Sequence, residues 1–363
     1  MASKPCLWEV NPPLINSANP WATTLEDLRL LYACPSTGAV TTRTSLVGGF
    51  GHDSEKHQYV FFDTAAHTAT NPDVKAGLSR DTDNNGSLNS LGYSPITLTS
   101  YLGFIKTISE EQKQQPSFDG ESPASKKVSN YKGFIVSVTG TPEEVLASYS
   151  LIAAAQEKIH IPLAMEINLS CPNIANKPPP AYSRDAILEY LRSLSGHALG
   201  GIPIGLKTPP YTHAAQYEAL IDALEASANG EAGGVSPVSF LTATNTLGSC
   251  LVFASPTPSS GDGDSTTSMA AAWALPGAGI GGMAGAPLHP LALGNVATLR
   301  RMLGERGDKL GHIQVIGIGG VLDAGGYRRM RAVGAAVVGV GTGLGLKGLD
   351  IFGEIDRGLG GQW

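Results

Sequence analysis

The sequence predicts an α/β protein, a closed (β/α)8 TIM barrel with long insertions on its rim. Eight short apolar, β-branched runs recur along the 363 residues with helix-like stretches between them, the signature of repeated strand, crossover and strand. Glycine is abundant, at 45 residues, and clusters late in the chain, where sharp turns or close approach of backbone to a ligand call for it. With 42% apolar and 15% charged residues, the composition is globular and sufficient for a large core. Barrels of this kind run past ~250 residues as one unit, so residues 1–363 are read as a single domain.

The strand candidates are PPLINS (12–17), GAVTTR (38–43), GFIVSV (133–138), AMEINL (164–169), IPIGLK (202–207), SFLTAT (239–244), IQVIGI (313–318) and AAVVGV (335–340). Among the intervening helices, TPEEVLASYSLIAAAQEK opens on Thr141 as N-cap with acidic residues in its first turn. SRDAILEYLRSLSG is capped by Ser183 and closed by Gly196. Eight such units suit a closed barrel better than an open doubly wound sheet. In a barrel the C-terminal strand ends line the active face, and Arg43, Asn168, Cys171, Lys207, Asn245, Gly319 and Gly341 all fall there. Two stretches interrupt the pattern, a long connection at 47–86 and a polar, low-complexity run at 255–272; both are expected to be rim insertions. The chain has no internal repeat.

A net charge of -6 argues against a nucleic-acid surface, which needs clustered Lys and Arg. The four cysteines, Cys6, Cys34, Cys171 and Cys250, are far apart without a CxxC pair, so neither a metal site nor a disulfide framework is indicated. No apolar run approaches the roughly 18–20 residues of a membrane span. The N-terminal MASKPCLWEVNPPL lacks the features of a signal or transit peptide, so a cytoplasmic protein is expected.

Three glycine clusters, GAGIGGMAG (277–285), GIGG (317–320) and GVGTG (339–343), stand out. The last two end the final strands, where barrels bind phosphate through backbone N–H groups, and they point to a phosphorylated cofactor. Lys207 ends an otherwise apolar strand, and a buried ammonium there calls for an anion or an electron-rich ring edge. In EINLSCPN (166–173), Cys171 sits just past a strand end among Asn, Ser and Pro, where a thiol gains more as a base than from packing. Asn89, Asn168, Asn173 and Asn245 offer donors and acceptors suited to a flat, amide-bearing ligand.

Taken together, EINLSCPN, GSLNSLG (86–92), GLKTPPY (205–211), NTLG (245–248), GAGIGG, IGIGG and GVGTGL resemble, in the same order, the motifs of the dihydroorotate dehydrogenases, specifically the soluble class 1A type. The resemblance implies an FMN-containing barrel that oxidises dihydroorotate to orotate and passes electrons to fumarate. It also implies a homodimer with no iron–sulfur partner subunit. Carried over by residue, it makes Cys171 the base that removes the C5 proton while the C6 hydride goes to flavin N5. It places Asn89, Asn168, Asn173, Asn245 and Thr246, with the backbone around Leu91 and Gly92, on the pyrimidine. Lys207 is expected at the flavin N1/O2 edge and Ser17, Ala18 and Thr44 against the ring system. Gly281, Gly282, Gly319, Gly320, Gly341 and Thr342 are expected around the isoalloxazine and phosphate.

The chain departs from the family at four places, one of which is a connection before Asn89 longer than the family's by roughly twenty residues. Arg43, in TTRTS, stands where the family has a lysine near flavin and substrate carboxylate, and it is expected to bind substrate. Gly92-Tyr93-Ser94-Pro95 replaces Gly-Leu-Pro-Asn after Asn89, and His289 stands where a lysine is usual. Two other readings follow: a related flavin enzyme acting on another dihydropyrimidine or cyclic enamide, and a flavin-binding paralogue without turnover.

Overall fold

All eight apolar runs form parallel strands, because each alternates residues that face the helices with residues that face the barrel interior. They are β1 (Leu14–Asn16), β2 (Ala39–Thr41), β3 (Gly133–Val138), β4 (Leu163–Asn168), β5 (Ile204–Thr208), β6 (Val238–Ala243), β7 (Gln314–Ile318) and β8 (Val337–Val340). They pair in chain order, and β8 closes on β1 through Ile15 opposite Gly339. The computed structural model describes residues 6–69, 84–114, 132–170, 179–195, 201–229, 234–254 and 272–363.

In β4 the alternation separates Leu163, Met165 and Ile167, in the core shared with the helices, from Ala164, which joins Ile15, Ala39, Ile135, Phe240, Ile316 and Val337 inside the barrel. Glu166 and Asn168 lie on the Ala164 face by the same two-residue period. Leu7, Trp8 and Val10 pack against that inner cluster. Residue 133 is glycine for this reason: a Cβ there would meet the Trp8 ring at 2.0 Å.

The capping expectations hold. Thr141 and Glu144 form a reciprocal capping box on the helix Pro142–Gln156. Ser183 accepts from the Ala186 N–H at the start of Arg184–Leu194; Gly196 lies outside the described residues. The half-buried Lys132 donates to Tyr32 O (2.8 Å), Cys34 O (2.5 Å) and Thr37 Oγ1 (2.9 Å), satisfying carbonyls at the C-terminal end of the helix Leu25–Ala33. Lys132→Met should lower unfolding free energy by about 1–3 kcal/mol in urea denaturation, since those acceptors lose their donor. Burial also lowers the Lys132 pKa from 10.5 to about 8. The unfolded chain therefore holds this proton to higher pH than the fold does, and the parent's stability relative to Lys132→Met should rise between pH 8 and 10.5.

The rim departs from expectation. The connection 47–86 is not a plain loop: Tyr59–Asp63 and Thr68–Ala69 enter a six-stranded sheet with Gly86–Asn89, Leu247–Leu251, Phe253–Ala254 and Ile280–Gly285. The run YVFFD alternates half-buried and buried side chains, and Val60 and Phe62 share a small core with Ala69, Leu88, Val252 and Leu275. Of the second expected insertion, only Ala272 lies within the described residues, where its carbonyl accepts from Ala254 N. Among the described residues, no helix is long and apolar enough to cross a membrane.

Candidate active site

The strand ends open into one cleft that the rim sheet walls on one side, with about 1020 Å³ of empty space counting its mouth. This scale suits a cofactor together with a small substrate. From β1 and the turn after it come Ser17 and Ala18, and from the end of β2 come Arg43 and Thr44. Asn168 ends β4, Lys207 lies on β5, and Asn245 and Thr246 follow β6. Gly319 and Gly320 follow β7, and Gly341 and Thr342 follow β8. The rim contributes Asn89, Leu91 and Gly92. Long-range folding thus brings these fifteen expected residues into one wall. Cys171 and Asn173 lie outside the described residues.

Gly281 and Gly282 do not line the cleft. They lie inside the strand Ile280–Gly285, where a Cβ on Gly281 would meet Asn89 O at 2.5 Å and the Gly282 carbonyl accepts from Asn89 Nδ2. Antiparallel pairing engages both glycines, Gly282 opposite Asn89 and Gly281 opposite Cys250, and the strand reaches the cleft with Ala284 and Gly285 instead.

Several lining residues were not legible as such in the sequence. Trp21 and Tyr59 meet edge to face at 5.4 Å at the mouth, and Thr244, Leu288 and Ile318 complete the wall. Ser87 carried a usable signal, since it lies two residues before Asn89 on one strand and so shares its face. Its hydroxyl meets Thr342 Oγ1 at 2.8 Å and ties the rim sheet to the barrel.

The charge pattern of the wall is one-sided. Arg43 and Lys207 line it, and no Asp or Glu does among the described residues. Lys207 is only 5% exposed and has no ion pair or hydrogen bond among them, so its ammonium is aimed into the cleft unneutralised. Burial lowers the pKa of Arg43, opposed by Tyr101 nearby, yet guanidinium stays charged at any working pH. Its Nη2 reaches Gly92 O at a long 3.5 Å, leaving donors for a carboxylate. Gly92 itself is covered by Phe50, whose ring would lie 2.3 Å from a Cβ, and Phe50 N donates to Ser94 O. The altered loop after Asn89 is therefore strapped down by the connection that precedes it.

At the opposite end Gly319 and Gly320 have φ of +137° and +68°, and a Cβ on Gly320 would fall 2.6 Å from Gly285 O. Only glycine fits, and the bared backbone can approach a phosphate closely. His289 secures this turn. Arg329 Nε donates to His289 Nε2 at 3.0 Å, so Nε2 carries no proton and Nδ1–H donates to Gly319 O at 2.6 Å. The structure therefore shows what His289 does in place of the expected lysine: it braces the glycine turn.

The residues present fit FMN. Among the described residues, a buried ammonium without a partner, a two-glycine cradle and a wall free of carboxylates match a planar ring with an anionic tail. The buried hydroxyl of Thr244, on the same wall, also lacks a partner among the described residues.

The sequence model of the dihydroorotate dehydrogenase family matches residues 78–362. The chain belongs to that family. It is therefore an oxidoreductase by descent, and its relatives agree in type. A dihydroorotate dehydrogenase (fumarate) of Trypanosoma cruzi is 28% identical over 346 residues, covering 95% of this chain and 87% of the relative. A putative dihydroorotate dehydrogenase A (fumarate) of Streptococcus equi is 26% identical over 99% of this chain and 91% of its own length. The fumarate-type protein of Trypanosoma brucei is 27% identical over 97% and 90%. Among solved structures, ligand-free DHODH from Eimeria tenella superposes with a TM-score of 0.62 at 14% identity, covering 96% of this chain and 83% of that one. The ferulenol complex of DHODH from the same organism gives 0.63 at 13% identity, over 96% and 80%. These two likenesses establish the shared fold.

Proposed function

We propose that this dihydroorotate dehydrogenase family member uses FMN to oxidise (S)-dihydroorotate to orotate in pyrimidine synthesis, with fumarate as electron acceptor. The observation that carries the reading is the cleft, which among the described residues holds two cations and no carboxylate, set among asparagine amides at the ends of barrel strands. Bound there, FMN supplies the acceptor for the substrate's C6 hydride. Arg43 at the mouth takes the carboxylate through its unengaged guanidinium donors, and Asn89, Asn168 and Asn245 take the amide edges of the ring. Lys207 faces the ring edge of the cofactor, Ser17, Ala18 and Thr44 lie against it, and Gly319, Gly320, Gly341 and Thr342 hold the phosphate. Cys171, next in sequence after Ser170, removes the C5 proton, and Asn173 is a further amide for the ring. The protein works as a cytoplasmic homodimer with no iron–sulfur subunit.

Anaerobic mixing of the FMN-loaded protein with dihydroorotate should bleach the flavin absorbance at ~10 per second, the median kcat of enzymes, or faster. An oxidised spectrum that persists would overturn this reading. Arg43 in place of lysine, with its loop strapped by Phe50, favours one alternative, a dihydropyrimidine other than dihydroorotate. Bleaching by dihydrouracil but not by dihydroorotate would select it.

A further inference from the structure

Glu166 is a carboxylate 2% exposed in the barrel interior, below the cleft and absent from its wall. Its partner is Ser137, whose hydroxyl donates to Oε1 at 2.8 Å. Ser137 Oγ also lies 2.9 Å from Thr44 Oγ1, and Thr44 Oγ1 accepts from Asn168 Nδ2 at 3.2 Å.

Hydrogen bookkeeping gives this chain one direction. The Ser170 backbone N–H can only donate, so the Asn168 atom it meets at 3.2 Å is Oδ1, and Nδ2 faces Thr44. Glu166 takes the Ser137 hydrogen, so Thr44, which accepts from Asn168, spends its own hydrogen on Ser137. A carboxylate only accepts, so it is a proper end to the chain. Without it the Ser137 hydrogen is buried with no acceptor, or it turns to Thr44 and the displaced Thr44 hydrogen is left to find another, so the contact that backs Asn168 Nδ2 loses its fixed geometry.

The direction sets what the cleft offers. Asn168 Oδ1 is occupied by Ser170 N, Ser170 Oγ and Asn245 Nδ2, so the second amide hydrogen of Asn168 is what remains for a ligand. Asn245 Nδ2 is spent on Asn168 Oδ1 and on Ser170 Oγ (3.0 Å), while among the described residues its Oδ1 accepts only from Thr246 N. Asn168 thus presents a donor and Asn245 an acceptor.

We infer that Glu166 is a positioning residue, which through Ser137 and Thr44 backs the Asn168 amide that the Ser170 N–H orients, so that Asn168 and Asn245 stand as a donor beside an acceptor. Together they recognise a cyclic ureide or imide edge, a carbonyl oxygen next to an N–H. The inference rests on the dihydroorotate reading and specifies how the ring, as distinct from the carboxylate, is recognised.

The test is calorimetric titration of the FMN-loaded protein with orotate, which carries such an edge, alongside thermal unfolding and bound-FMN content. Ser137→Ala and Glu166→Met should each weaken orotate about tenfold or more. Glu166→Gln keeps an oxygen that accepts from Ser137 and should stay within about threefold of the parent. If Glu166→Met fails to fold, Ser137→Ala decides, since it removes one buried atom from the middle of the chain. Parental affinity in Ser137→Ala, or a loss in Glu166→Gln equal to that in Glu166→Met, overturns the positioning role and leaves the dihydroorotate reading standing. A parent protein that binds no orotate overturns both.

Discussion

Cys171→Ala is expected to retain FMN and to lose rapid reduction by dihydroorotate. The groups proposed to hold the cofactor, Lys207, Gly319, Gly320, Gly341 and Thr342, belong to β5 and to the turns after β7 and β8, remote in sequence from the thiol. Removing it should leave binding intact. Removing a general base costs about 10²–10⁴ in rate, so the bleaching transient should slow by that factor while the starting spectrum is unchanged. Anaerobic stopped-flow absorbance measures both quantities in one experiment. A parental rate in the alanine variant would take Cys171 out of the mechanism, whereas loss of FMN would make it a structural residue.

Lys207→Met is expected to move the stripped and the loaded protein in opposite directions. In the fold Lys207 is 5% exposed with no partner among the described residues, a desolvated charge that destabilises the empty site. A methionine of similar length removes that cost, so the FMN-stripped variant should be more stable than the stripped parent by roughly 1–3 kcal/mol. With FMN bound, the ammonium has its anionic or electron-rich counterpart, and a charge-assisted bond of about 1.5–3 kcal/mol is lost on substitution. FMN affinity should then fall about 10–100-fold, measured by fluorescence quenching on rebinding. Scanning calorimetry of both forms provides the check. Destabilisation of both would assign Lys207 to packing and remove it from the cofactor site.

The amino-acid order by itself determined the eight barrel strands, the helix caps at Thr141 and Ser183, and the rim positions of Arg43, Asn168, Lys207, Gly319 and Gly341. Each follows from local physics: two-residue alternation marks a strand, a side-chain oxygen satisfies orphan N–H groups at a helix start, and a polar residue ending an apolar strand must face the open end of the barrel. The rim was hidden because sheet pairing there joins segments far apart in sequence, such as Tyr59 with Asn89 and Gly282 with Asn89. Only the tertiary structure decided that IGGMAG (280–285) is a strand of that sheet and reaches the cleft through Ala284 and Gly285. Only it showed that Phe50 straps the loop at Gly92, that Trp21 and Tyr59 frame the mouth, and that His289 and Arg329 brace the Gly319 turn. Glu166 is the sharpest instance. In the sequence it is one more inward position of β4; in the fold, three strand ends bring Thr44, Ser137 and Asn168 within hydrogen-bond reach, and a buried carboxylate becomes the terminus that gives their hydrogens a single direction.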